Sequence, residues 1–303
     1  MVSRERLLSL GAIVAEHATT KRVRAVGQLL LLAALVFVAL RARTLWHGSH
    51  VELSKVGWWA LAGSVALAGA GTAAGALIWL VILDALGVKT RSRWIGIFFQ
   101  AQLGKYIPGS VWQYAGRAAI ARAHGIPVRS VGVSVPIEFA ASAMAAGAMA
   151  AFLLGWWGLA VVAVVAVILI AAGRPFFVRR REAITTARAT LLYLPAWLLL
   201  GGGFWLCARA LVGAPAGELA SYIGAFAVAW LAGLLAVYAP GGLGVREGVL
   251  VALLANRIGA ADALVLAAVS RLTLVFVDVL LAAISTAALR RQSRTRLDVA
   301  DPA

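Results

Sequence analysis

Apolar residues in this chain gather into runs longer than the core-facing stripe of a soluble helix. The runs cover 25–40, 56–83, 131–154, 158–173, 191–212, 222–238 and 263–289. A bilayer's hydrocarbon core is about 30 Å thick and takes about 20 helical residues to cross, so such runs read as membrane spans. Two stretches resist that reading. The first, 94–123, is interrupted by Gly104-Lys105-Tyr106-Ile107-Pro108-Gly109, and the second, 222–256, by Tyr238-Ala239-Pro240-Gly241-Gly242-Leu243-Gly244. Proline removes a backbone donor and glycine weakens a helix, which predicts two half-helices meeting at a turn in each stretch. Broken backbone survives at membrane depth only where protein or a water-filled cavity surrounds it.

The two breaks share the pattern Y-x-P-G, from Tyr106 to Gly109 and from Tyr238 to Gly241, at an offset of 132 residues. Shifted by that offset, 56–83 lands on the run at 191–212, and 131–154 lands inside the last run. The chain therefore reads as span, broken hairpin, span, repeated once. The predicted fold is an all-α polytopic membrane protein with about six full transmembrane helices plus two re-entrant broken helical hairpins in an inverted repeat. Residues 1–24 are expected to form a basic cytoplasmic segment. A single transmembrane domain then covers 25–289, with repeats at about 56–155 and 189–289, and 290–303 forms a basic cytoplasmic tail.

Composition and charge sharpen this picture. With 62% hydrophobic and 13% charged residues, the chain is neither an ordinary soluble domain nor a disordered one. The net charge of +16 suits either nucleic acid or cytoplasmic loops, and in so apolar a chain the loops account for it. If each hairpin leaves on the side it entered, 20 basic residues fall inside, Arg117 among them, and 5 outside. The other three, Lys105, Arg246 and Arg271, lie at membrane depth. That asymmetry places both termini in the cytoplasm and gives the two hairpins opposite entry sides, hence the inverted repeat. Trp46, Trp58, Trp59, Trp156 and Trp157 then gather at the outer interface. Arg41 and Arg43 follow the first run where a signal peptide would carry a cleavage site, so an uncleaved first span in the plasma (inner) membrane is expected. The apolar residues from Leu7 to Val14 form either a short interfacial helix or a frayed leader.

The charged and glycine positions near the breaks carry the candidate chemistry. The half-helix after each P-G turn would present free N–H groups and a positive dipole end to an anion. Gly241, Gly242 and Gly244 leave bare backbone that a phosphate could approach, with Pro240 setting the turn. In the first break, Pro108 and Gly109 do the same, and Ser110 adds a hydroxyl. Lys105, Arg117 and Arg246 supply cations for a phospholipid headgroup, Arg in a bidentate manner. The plainer reading stays open: the glycines allow close packing and the cations pair internally with Glu138, Glu247 and Asp278. Glu138 and Arg271 occupy nearly matching places after Tyr106 and Tyr238, each inside an apolar run. A charge there costs roughly 2.5 to 3.5 kcal/mol on insertion scales, so a partner or a wet cavity is expected. Either an ion pair, Glu138 with Arg271 or Arg246, or a coupling role fits, and Asp278 lies seven residues beyond Arg271 on the same face. Pro136 should kink the helix beside Glu138.

Other residues close off alternatives. The single cysteine, Cys207, excludes an internal disulfide and a CxxC site. His47 and His50, with Glu52, lack a third well-placed ligand, and no metal or other cofactor is expected. No histidine lies in a run, no G-x-S-x-G motif occurs and no paired aspartates stand ready for metal-assisted phosphotransfer, which disfavours an intramembrane enzyme.

The segment from Gly104 to Trp112 followed by Gly116-Arg117, and Pro240-Gly241-Gly242-Leu243-Gly244-Val245-Arg246-Glu247-Gly248, resemble the transmembrane region of lysylphosphatidylglycerol synthases and their stand-alone flippase-like relatives. The resemblance covers roughly 30–289, and Glu138 and Arg271 stand where that family tends to keep intramembrane charges. It implies lipid translocation or handling. Without the synthases' additional aminoacyl-transferase domain, lipid aminoacylation is not expected. The leading expectation is a flippase or transporter for an anionic or modified phospholipid, or a polyprenyl-phosphate-linked lipid. The alternative is a non-catalytic scaffold or partner of a separately encoded lipid-modifying enzyme or glycosyltransferase. Membrane phospholipids are the expected partners, and nucleic acid is not.

Overall fold

A computed structural model describes residues 49, 51–106, 112–155, 160, 180–236 and 242–300. The expected spans 25–40 and 158–173, the basic segment 1–24, and Trp46, His47, His50, Trp156 and Trp157 lie outside the described residues. So do Pro108, Gly109, Ser110, Pro240 and Gly241.

Among the described residues the chain is helical without strands. The helices are α1 (Trp58–Ala85), α2 (Ile95–Gln102), α3 (Trp112–Ala123), α4 (Val128–Leu154), α5 (Arg180–Val212), α6 (Leu219–Leu235), α7 (Val245–Ile258) and α8 (Ala260–Ala300). A 3-10 turn, Leu103–Tyr106, extends α2 into the first break. Five segments among the described residues are long and apolar enough to cross a membrane: Trp58–Ala85, Val128–Ala151, Arg180–Val212, Ala216–Leu235 and Ala260–Ala288. Four of them coincide with expected spans. The fifth, containing α6, is only a hairpin arm in the sequence reading, yet its 20 residues suffice for a crossing. Helix α8 runs on through the basic tail to Ala300.

Helices α1 and α5 form the most extensive packing contact, and they run antiparallel. Gly57 donates its N–H to the Ala210 carbonyl at 2.9 Å at one end, and Arg181 Nε donates to the Ala85 carbonyl at 2.8 Å at the other. Between these ties the seam is made of small residues, as expected where lipid offers apolar side chains no advantage in association. A Cβ on Gly203 would stand 3.1 Å from the Ser64 carbonyl oxygen, and one on Gly71 would stand 2.7 Å from Leu200. Helix α4 buries alanines, among them Ala141, Ala145, Ala146 and Ala150, against α5 and α6. Two buried indoles tie α4 to its neighbours: Trp79 Nε1 donates to Ser134 Oγ and Trp197 Nε1 to the Ser142 carbonyl, both at 3.1 Å.

Candidate functional site

A cavity of about 390 Å³ is walled by residues of all eight helices, α1 to α8, together with Lys105 and Tyr106 from the arm before the first break and Gly242 from the arm after the second. Its lining is largely apolar and aromatic, including Phe98, Tyr114, Trp197 and Trp230, but Lys105, Glu138, Arg246, Glu247 and Arg271 also face it. An aromatic series backs one wall: Trp230 meets Trp197 edge-on at 4.8 Å between centroids, and Trp197 touches Phe226 at 6.1 Å.

Arg117, the sixth residue of α3, is fully buried and bonds Glu138 of α4, with Nη2 to Oε1 at 3.4 Å and a closer contact from Nη1 to Oε2. Its guanidinium lies 4.3 Å from the Phe98 ring centroid and 5.2 Å from that of Trp79. Aromatic faces suit a cation whose charge is already paired. Two expectations are corrected here. Arg117 is a core residue rather than a cytoplasmic loop charge, and Glu138 pairs with Arg117 rather than with Arg271 or Arg246. The reason is register: α3 and α4 pack as neighbours and bring residues 21 apart into contact, while Arg271 is taken elsewhere.

Asp278 of α8 is almost fully buried and receives Lys105 Nζ at 2.7 Å and the Tyr106 hydroxyl at 2.5 Å, both on Oδ2. The first break is thereby fastened to a helix of the second half. Arg271 Nη1 bonds Glu247 Oε1 at 2.7 Å, and Glu247 Oε2 accepts the Gly244 N–H at 2.6 Å. This last bond corrects the picture of a bare helix N-terminus awaiting phosphate. Glu247, three residues into α7, already places a carboxylate there. Gly242 and Gly244 have φ of +71° and +83°, conformations that side chains with a Cβ rarely adopt.

Arg246 is the exception among these charges. It makes no hydrogen bond or ion pair to the described residues, and its Nε is buried without a partner. Its guanidinium stands 5.7 Å from the Trp230 ring centroid. Two glycines fix its stem: a Cβ on Gly233 would meet Arg246 Cγ and Nε at 2.5 Å, and one on Gly242 would meet Nε at 2.9 Å. Of the residues expected at the site, the structure brings together Lys105, Glu138, Gly242, Arg246, Glu247 and Arg271 around one cavity, with Arg117 and Asp278 just behind its wall and Gly244 at the α7 cap. Sequence reasoning missed Gly233 and Trp230, whose only signal is a glycine three residues beyond a tryptophan inside an apolar run. It also treated Tyr106 as a motif letter, whereas its hydroxyl holds Asp278.

Among the described residues, fold and site define an all-helical membrane protein with a charged cavity enclosed by its helices. No family model, curated protein or solved structure matches the chain.

Proposed function

We propose that this chain is a multi-pass membrane lipid transporter of the flippase-like kind. It carries an anionic or modified phospholipid, or a polyprenyl-phosphate-linked lipid, between leaflets with the headgroup in the central cavity. The observation that carries the reading is Arg246, a guanidinium without a partner among the described residues, facing a largely apolar and aromatic cavity whose other charged groups, Lys105, Glu138, Glu247 and Arg271, are each in an ion pair. An unpaired charge at membrane depth is costly, and such groups line substrate paths. The motif resemblance to the lysylphosphatidylglycerol synthase transmembrane region points the same way.

Element order supports an inverted repeat within this reading. Adding 132 to the start of α4 gives the start of α8, and adding it to the start of α3 falls one residue short of α7. Exchanging α1 with α5, α2 with α6, α3 with α7 and α4 with α8 also turns each packed pair into another packed pair: α4 on α6 becomes α8 on α2, and α3 on α4 becomes α7 on α8. Corresponding helices α1 and α5 run antiparallel, as halves of opposite topology require. Six full spans, re-entrant breaks, a plasma-membrane location and cytoplasmic termini complete the proposal. Moving Arg117 from the inside loops to the core leaves the basic asymmetry intact.

The test is reconstitution in liposomes with headgroup-labelled phosphatidylglycerol and a quencher confined to the outer leaflet. The chain should speed lipid exchange between leaflets. Arg246→Ala should slow it by on the order of tenfold without lowering thermal stability, and Arg246→Lys, which keeps charge but loses the fork, should fall between. Unchanged exchange in a folded Arg246→Ala protein would refute the reading.

A further inference from the structure

We infer that the cavity selects a ligand with one net negative charge, a phosphodiester, over both a doubly charged phosphomonoester and a zwitterion, with Arg246 reading that charge. The inference rests on the cavity being the headgroup site proposed above, and narrows its substrate class.

Charge accounting carries it. The charged residues that line the cavity, Lys105, Glu138, Arg246, Glu247 and Arg271, together with the partners Arg117 and Asp278 behind its wall, make four cations against three carboxylates. Residues 107–111 and 237–241, between the described arms, contain no charged side chain. Each of the three carboxylates receives one of the cations, and among the described residues the cation left without a carboxylate is Arg246. The cavity therefore has one charge to neutralise. A second negative charge on the ligand would need Lys105 or Arg271 to leave its carboxylate. That would strand Asp278, whose side chain is 2% exposed, or Glu247, which also caps α7. Stranding a buried charge costs more than the new contact returns. A zwitterion fails from the other side, because its phosphate suits Arg246 but its ammonium finds each of the three carboxylates occupied. Gly233 and Gly242 hold the guanidinium stem in place, so the site is set before the ligand arrives.

The experiment is native mass spectrometry of the full chain in detergent with equimolar dioleoyl phosphatidylglycerol, phosphatidic acid and phosphatidylcholine. It is run at about pH 9, above the phosphomonoester's second ionisation near pH 6. Wild type should retain phosphatidylglycerol on the order of tenfold over each of the others. Arg246→Gln should erase that preference. Asp278→Asn keeps an acceptor for Tyr106 but frees Lys105 into the cavity, making two positive charges, so phosphatidic acid should overtake phosphatidylglycerol. This gain of preference cannot come from misfolding.

Wild type favouring phosphatidic acid, or Asp278→Asn leaving the ranking unchanged, would overturn the single-charge inference while the lipid reading stands. Equal retention of all three lipids, unaffected by Arg246→Gln, would overturn both. Dimethyl phosphate, the same charge without acyl chains, separates the sources. Protection of wild type but not Arg246→Gln by dimethyl phosphate, with no lipid retained, would keep the monoanion site and remove the lipid.

Discussion

Arg117 and Glu138 show what a single sequence can and cannot say at the scale of residues. That Glu138 needs a partner follows from its place in an apolar run. Which partner it takes depends on how α3 and α4 meet across the turn at His124 and Gly125, a register with no trace in composition. The consequence is measurable. Removing one member of a buried pair strands the other, so Glu138→Gln or Arg117→Met alone should each cost about 3 to 5 kcal/mol of stability. The double change Arg117→Met with Glu138→Leu should recover most of that loss, because α4 and the Phe98 and Trp79 rings then pack against apolar groups of similar size. Thermal unfolding in detergent measures it, and additive losses would mean that the pair is not a unit. The same limit hid the cap on α7: Glu247 is visible as an acid near a break, but its two oxygens serve Gly244 and Arg271 at once.

Elements were more legible than their contacts, because proline and glycine punctuate a helix wherever tertiary structure puts it. The described helices end and resume around both expected breaks: the turn after α2 reaches Tyr106 and α3 starts at Trp112, while α6 ends at Leu235 and α7 starts at Val245. The meaning of individual glycines was not legible, since packing rather than propensity decides it. A Cβ on Gly104 would meet Gln113 N at 2.6 Å and Gln113 Cα at 2.8 Å, so the two arms of the first break touch backbone to backbone. Backbone cannot rotate aside as a side chain can. Gly104→Ala should therefore cost about 1 to 3 kcal/mol, the usual range for overpacking. Gly69 in α1 has nothing within 4 Å of its would-be Cβ. There Gly69→Ala should be neutral or stabilising by up to about 1 kcal/mol through helix propensity alone. Equal thermal shifts in the two variants would show that helix propensity, not contact, governs both positions.

For the whole molecule, the exchange of packed pairs and the antiparallel α1–α5 seam are what the proposed inverted repeat requires, and the arm leading into the first break is anchored to α8. Lys105 and Tyr106 reach Asp278 on α8, and α2 packs on α8 as α6 packs on α4. The offset and the shared Y-x-P-G set the correspondence within the proposed repeat, but hydropathy carries no direction, so the proposed opposite topology rests on the basic residues and on the run of α1 against α5. Topology is what the last prediction measures. His124, in the turn after α3, and Asn256, near the end of α7, are both exposed and occupy comparable places in the two halves. Halves of opposite orientation put them on opposite sides of the bilayer. Cysteines introduced at the two positions should react with a membrane-impermeant maleimide from different sides, His124→Cys only after the cytoplasmic face is opened and Asn256→Cys in intact cells. The native Cys207 is fully buried and should stay silent in both. Labelling of both positions from one face would give the halves the same orientation, and the antiparallel α1 and α5 would then have to be unrelated elements.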